Sequence, residues 1–74
     1  MSPRLPGLTG RQVLAILERE GFVPVRQSGS HVVLKHPDGR RTTVPMHAGR
    51  DLGRGLLRQI MRDASLTLED LIGD

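Results

Sequence analysis

The sequence predicts an α+β fold in which a helix, three antiparallel strands and a second helix follow one another, both helices on one face of the sheet. Three observations lead there. Apolar residues recur at helical spacing in two separate stretches, Val13, Leu14, Ile16 and Leu17 near the start and Leu57, Ile60, Met61 and Ala64 near the end. Between them, two runs of period two, Ser30–His36 and Arg40–Met46, are joined by Pro37-Asp38-Gly39, in which proline fixes φ and glycine takes the awkward turn position. The 74 residues contain no internal repeat and make a single domain, 1–74.

Taken in order, residues 1–8 carry Pro3 and Pro6 and no period, and read as an extended lead-in. Thr9-Gly10-Arg11-Gln12 is a capping box, and Leu8 and Val13 stand at the two positions of a hydrophobic staple. Gly21 ends the first helix. Phe22–Gln27 is the first strand, and Pro24, which lacks an N–H, places it at an edge or makes it irregular. Ser28-Gly29 bends the chain into the second strand. There alternation puts Val32 and Leu34 on one face and His31, Val33 and Lys35 on the other. In the third strand Thr42, Val44 and Met46 face inward, Arg41 and Thr43 outward, and Pro45 stops the ladder. His47–Gly53 is a polar loop. The second helix, Arg54–Ser65, is followed by a Thr67-capped turn, Leu68–Ile72, expected to tuck Leu68, Leu71 and Ile72 onto the core. The helices cover Val32, Leu34 and Val44, leaving His31, Val33, Lys35 and Arg41 open.

Composition narrows the function. With one Phe, no Tyr and no Trp, the core is aliphatic and no aromatic platform exists on which bases could stack. The absence of cysteine excludes a disulfide framework, a thiolate zinc site and a cysteine nucleophile, and suits the cytoplasm. Apolar runs are too short for a membrane span. The net charge of +3 is unevenly spread: residues 26–62 hold eight basic residues against Asp38 and Asp51, a net +6, whereas residues 63–74 carry −4 from Asp63, Glu69, Asp70 and Asp74. A basic body with an acidic tail points to nucleic acid or to an acidic protein surface.

All three histidines fall within Ser28–His47. An imidazole, with an ordinary pKa of about 6.5, can give or take a proton near neutrality. From pattern alone His31 is more readily a polar strand residue than a general acid–base, and His36 reads as a turn residue on the opposite face. His47, closing Val44-Pro45-Met46-His47, is open to a direct role. The histidine spacings match no metal motif, so neither metal nor cofactor is expected. Ser28, Gly29 and Ser30 either offer amides and hydroxyls to a phosphate or simply bend the chain. Lys35 and Arg41 could hold phosphates or stabilise developing charge. Arg54, Arg58 and Arg62 recur at i, i+4 and i+8 and line one helix face, suited to RNA phosphates, to an acidic partner, or to water alone.

Glu20-Gly21-Phe22, Gln27-Ser28-Gly29-Ser30-His31, His36-Pro37-Asp38-Gly39-Arg40 and Val44-Pro45-Met46-His47, in this order, carry a resemblance to the HicA toxins of type II toxin–antitoxin systems. It continues in Gly55–Ala64 and in Leu66-Thr67-Leu68-Glu69-Asp70, and so covers nearly the whole chain. It implies a double-stranded-RNA-binding-domain-like α-β-β-β-α fold and ribosome-independent, metal-independent mRNA cleavage, with His31 catalytic. It also implies neutralisation by a cognate HicB-like antitoxin in a hetero-oligomer. Ser28, Gly29, Ser30, Lys35, Arg41 and His47 are then candidates for RNA contacts, and Arg54, Arg58 and Arg62 for phosphate or antitoxin. Leu71, where many members have an aromatic residue, and Gly53, where the loop is commonly bulkier, depart from the pattern and bear on packing. Two readings from other classes stand beside it: an RNA-binding module without chemistry, and a basic interaction protein that docks an acidic partner.

Overall fold

In the computed structural model, which describes residues 5–47 and 49–72, the chain runs α1 (Gly10–Arg19), β1 (Val23–Ser28), β2 (His31–Lys35), β3 (Arg41–Pro45), α2 (Arg54–Ala64) and α3 (Leu68–Ile72). Part of the expected lead-in, residues 1–4, lies outside the described residues. The helix order follows from capping chemistry. At the start of α1 the Gln12 N–H donates to Thr9 Oγ1 (3.2 Å) and the Thr9 N–H donates to Gln12 Oε1 (2.9 Å), so two otherwise orphaned donors are satisfied reciprocally. Its end is a Schellman motif. Gly21 takes φ +101°, its N–H donates to the Glu18 carbonyl, and the Phe22 N–H donates to that of Leu17. Phe22 is thereby turned into the core and leaves the strand, which begins one residue later than expected.

The second helix ends in the same way with a different residue. Ser65 occupies the left-handed position at φ 55°, and the Leu66 N–H donates to the Met61 carbonyl at 2.9 Å. A second reciprocal box, Thr67 with Asp70, opens α3: the Thr67 N–H donates to Asp70 Oδ2 (2.8 Å) and the Asp70 N–H donates to Thr67 Oγ1 (3.2 Å). These bonds hold the Asp70 carboxyl below its ordinary pKa. Leu71 is buried and Leu68 half-buried, but Ile72 points into solvent, 63% exposed. Around the helix axis Ile72 stands 100° from Leu71, the residue aimed at the core, with Leu68 between them, so exposure rises from Leu71 through Leu68 to Ile72.

The sheet is antiparallel in the order β1-β2-β3. Its inner face carries Val32, Leu34, Thr42 and Val44, all buried. Both α1 and α2 pack on it at β3, α3 packs on α1, and Val13, Leu17, Leu57 and Ile60 complete the core. Thr42, the one polar side chain in that core among the described residues, donates its hydroxyl to Asp63 Oδ2 (3.0 Å). β1 is exposed along its whole length, with a bulge between Pro24 and Arg26 that fits a strand whose proline cannot donate to the ladder. Ser28 is a ladder residue paired with His31, so the bend is the two residues Gly29-Ser30. Between β2 and β3 the His36 N–H donates to the Arg40 carbonyl (2.8 Å), closing a turn over Pro37-Asp38-Gly39, so that β2 ends one residue earlier and β3 starts one residue later than alternation suggests.

Candidate nucleic-acid interface and histidine cleft

The register fixes what shares the open face. Ser28 and Pro45 flank His31, Arg26 and Thr43 flank Val33, and Val23 and Arg41 flank Lys35. Paired residues in an antiparallel ladder point to the same side, so these form three rows across the sheet. His31 and Lys35 are both exposed. They stand four residues apart on one strand, about 13 Å. Lys35 and Arg41 thus share the face of His31 but do not reach a group reacting beside it. Arg26, which alternation on an irregular first strand did not single out, lies one row from His31.

At the His31 end the chain builds a cleft. Pro45 ends the ladder as a donor, yet the next residue renews contact: the Met46 N–H donates to the Ser30 carbonyl (2.5 Å). That bond draws the chain after β3 against the Gly29-Ser30 turn, itself braced by Gln27 Nε2 donating to the Gly29 carbonyl (3.2 Å). The result sets the exposed rings of His31 and His47 with centroids 6.5 Å apart and planes at 84°. They line a cleft of about 390 Å³ with Pro45, Arg50, Asp51, Leu52, Gly53 and Leu56. On its other side His47 borders a smaller cavity, about 200 Å³, shared with Thr9, Arg11, Met46 and Gly49. Arg50 and Asp51 were not among the expected site residues. They sit in a loop without periodicity, shaped by bonds to distant backbone: the Leu52 N–H donates to the Leu8 carbonyl (2.7 Å), and Thr9 and Asp51 form an isolated antiparallel bridge.

The third histidine is elsewhere. His36 lies at the far end of β2, its ring edge-on to Phe22 at 5.1 Å, with Nδ1 accepting the Asp38 N–H at 3.1 Å. Its Nδ1 is also 2.9 Å from Asp38 Oδ1, an ion pair whenever the ring is protonated. The side chain and backbone of Arg40 both donate to Asp38 and hold its carboxyl below the ordinary range. The same guanidinium stands over the Phe22 ring at 5.1 Å and donates to the Ala64 carbonyl, pinning the turn to the end of α2. The three histidines therefore do not converge.

Arg54, Arg58 and Arg62 are exposed, and among the described residues none of them makes a salt bridge. Leu56 lines the cleft and Asp63 reaches Thr42, so one flank of α2 faces the sheet's open end. At 100° per residue the three arginines lie on the other flank and outer side, away from the cleft.

A three-stranded antiparallel sheet backed by helices on one face and basic on the other has the fold of a double-stranded-RNA-binding-like domain, here indented by a histidine cleft. The family model for the HicA toxin of bacterial toxin–antitoxin systems matches residues 10–66, from the first turn of α1 to the residue after α2's cap. The chain belongs to the HicA toxin family. Toxins of this family generally cleave RNA, and membership implies an antitoxin partner. Among curated proteins, no match to the chain was found.

Proposed function

We propose that the protein is an mRNA endonuclease toxin, acting in the cytoplasm without a metal, in which His31 is a general acid–base. The observation that carries this is the position of His31: exposed, at the mouth of a cleft, on the one sheet face that no helix covers. RNA supplies its own nucleophile. A base removes the proton of a ribose 2′-OH, the oxygen attacks the neighbouring phosphorus, and an acid protonates the departing 5′-oxygen. Acid–base assistance is worth about 10²–10⁴ in rate. Arg26 and Arg50 lie close enough to offset phosphate charge near the scissile bond, whereas Lys35 and Arg41 hold the backbone farther along the strand. The carbonyls of Gly29 and Ser30 brace the turn by accepting from Gln27 Nε2 and the Met46 N–H, and the amides and the Ser28 and Ser30 hydroxyls are left as the groups to meet a phosphate.

The test is cleavage of a long unstructured RNA by the purified chain in excess EDTA, beside His31→Ala checked for folding. Cutting by the parent and none by the folded variant is the expected result. Salt-dependent binding without cutting by either would make the protein an RNA-binding module instead. Equal cutting by both would move the chemistry off His31. The cognate antitoxin is proposed to bind the α2 arginines through acidic side chains, since among the described residues these cations make no salt bridge, and they lie off the cleft.

A further inference from the structure

Resting on the reading of His31 as a general acid–base, we infer that His47 is the second catalytic group, and that the two imidazoles work from opposite sides of one phosphodiester to leave a 2′,3′-cyclic phosphate. Displacement at phosphorus is in line: the attacking and departing oxygens are on opposite sides of the phosphorus. One side chain in a fixed position cannot serve both. Each proton transfer needs a nitrogen within about 3 Å of its oxygen. The two rings, centroids 6.5 Å apart with planes at 84°, meet edge to face and line one cleft of about 390 Å³, so that a phosphodiester held in that cleft is within reach of both.

The other titratable groups fall away on geometry. His36 packs on Phe22 at the far end of β2. Lys35 is about 13 Å along the strand. Arg50 lines the cleft, but a guanidinium does not give up its proton in the working range. Asp51 also lines it, yet its carboxylate lies against Gly7, so close that a β-carbon there would stand 2.7 Å from Oδ2. His47, in contrast, borders both cavities, with Arg50 on one side and Arg11 on the other. A strand crossing between the histidines meets a cation in either direction.

The step balances without a co-reactant. A neutral imidazole takes the 2′-OH proton, the O2′–P bond forms, the P–O5′ bond breaks, and the protonated imidazole gives its proton to O5′. The products are a cyclic phosphate and a free 5′-hydroxyl, and exchange with water restores the two rings.

The experiment compares the parent, His31→Ala, His47→Ala and His47→Gln on two RNAs, one ordinary and one with sulfur replacing the bridging 5′-oxygen at a cleaved position. A thiolate leaves without an acid. The expected result is a loss of about 10²–10⁴ on ordinary RNA for each variant, with RNA affinity retained. The parent's products end in cyclic phosphate. Sulfur substitution restores cutting by the variant lacking the acid and not by the one lacking the base, and the pH–rate profile of each variant loses one limb. A purely structural role for His47 would give no such selective rescue. Wild-type cutting by His47→Ala beside an inactive His31→Ala overturns the inference and leaves the role of His31 standing; so does rescue of neither variant. A parent that never cuts RNA removes the underlying reading, and the inference with it.

Discussion

A β-carbon at Gly10 would collide with the Pro45 carbonyl oxygen, and the rest of the site hangs on that close approach. Alanine is the better helix former by about 1 kcal/mol, so on propensity Gly10→Ala should stabilise α1. Here the clash is with backbone and cannot be relieved by a rotamer. We expect Gly10→Ala to lower stability by about 1–3 kcal/mol in urea unfolding, the usual cost of overpacking. RNA cleavage should fall further than stability, because Pro45 precedes the segment that carries His47. Asp38 offers a second test at this scale. Its folded pKa lies below the unfolded value of about 3.9, so its contribution is present above that pH and fades as pH falls through the folded value. The parent should therefore have a higher Tm than Asp38→Asn at neutral pH, and the gap should close in acid below about pH 4. A gap that persists there would mean that the aspartate acts through turn geometry and not through charge.

The elements themselves were largely legible in advance, and the reasons are local. Capping boxes at Thr9 and Thr67, a Pro-Asp-Gly turn and period-two alternation each act over a few residues, so their consequences can be read from a few letters. The boundaries that moved did so for equally local causes: Phe22 is taken by the end of α1, and Ser28 by a ladder pair with His31. Ser65 is different. Its left-handed conformation gives no signal in a sequence that puts serine where glycine usually stands. Ser65→Gly should raise stability by about 0.5–1 kcal/mol, less than the full cost of the strained conformation because glycine also loosens the unfolded chain. α2 carries the partner prediction. Charge reversal at Arg58 and Arg62 should weaken the antitoxin complex in a titration while leaving RNA cleavage by the free toxin close to that of the parent. Loss of RNA cleavage with the complex intact would place RNA, not antitoxin, on that helix.

Across the whole molecule the open face acts as one electrostatic surface with a reactive end. Replacing Lys35 and Arg41 together by glutamine should flatten the log–log salt dependence of RNA affinity by about 1.4, near 0.7 for each phosphate released. The rate at saturating RNA should hardly change, since neither side chain reaches the cleft; a matching fall in that rate would mean the RNA bends back to them. The cleft is the part the sequence concealed. His31 could be placed on its face by alternation, but Arg50 and Asp51 are positioned by backbone pairing with Leu8 and Thr9, far earlier in the chain, and no local pattern encodes such pairing. That pairing has a kinetic side. The Leu52 N–H bonded to the Leu8 carbonyl fastens the His47 loop to the segment before α1 at the margin of the aliphatic core, where Leu8 and Leu52 are only partly buried. Its proton should exchange with solvent deuterium through small local openings, faster than the amides of β2, which wait for global unfolding. The Leu52 amide is thus a built-in gauge of how often the second histidine swings away from the first, and substrate bound between the two rings should slow its exchange.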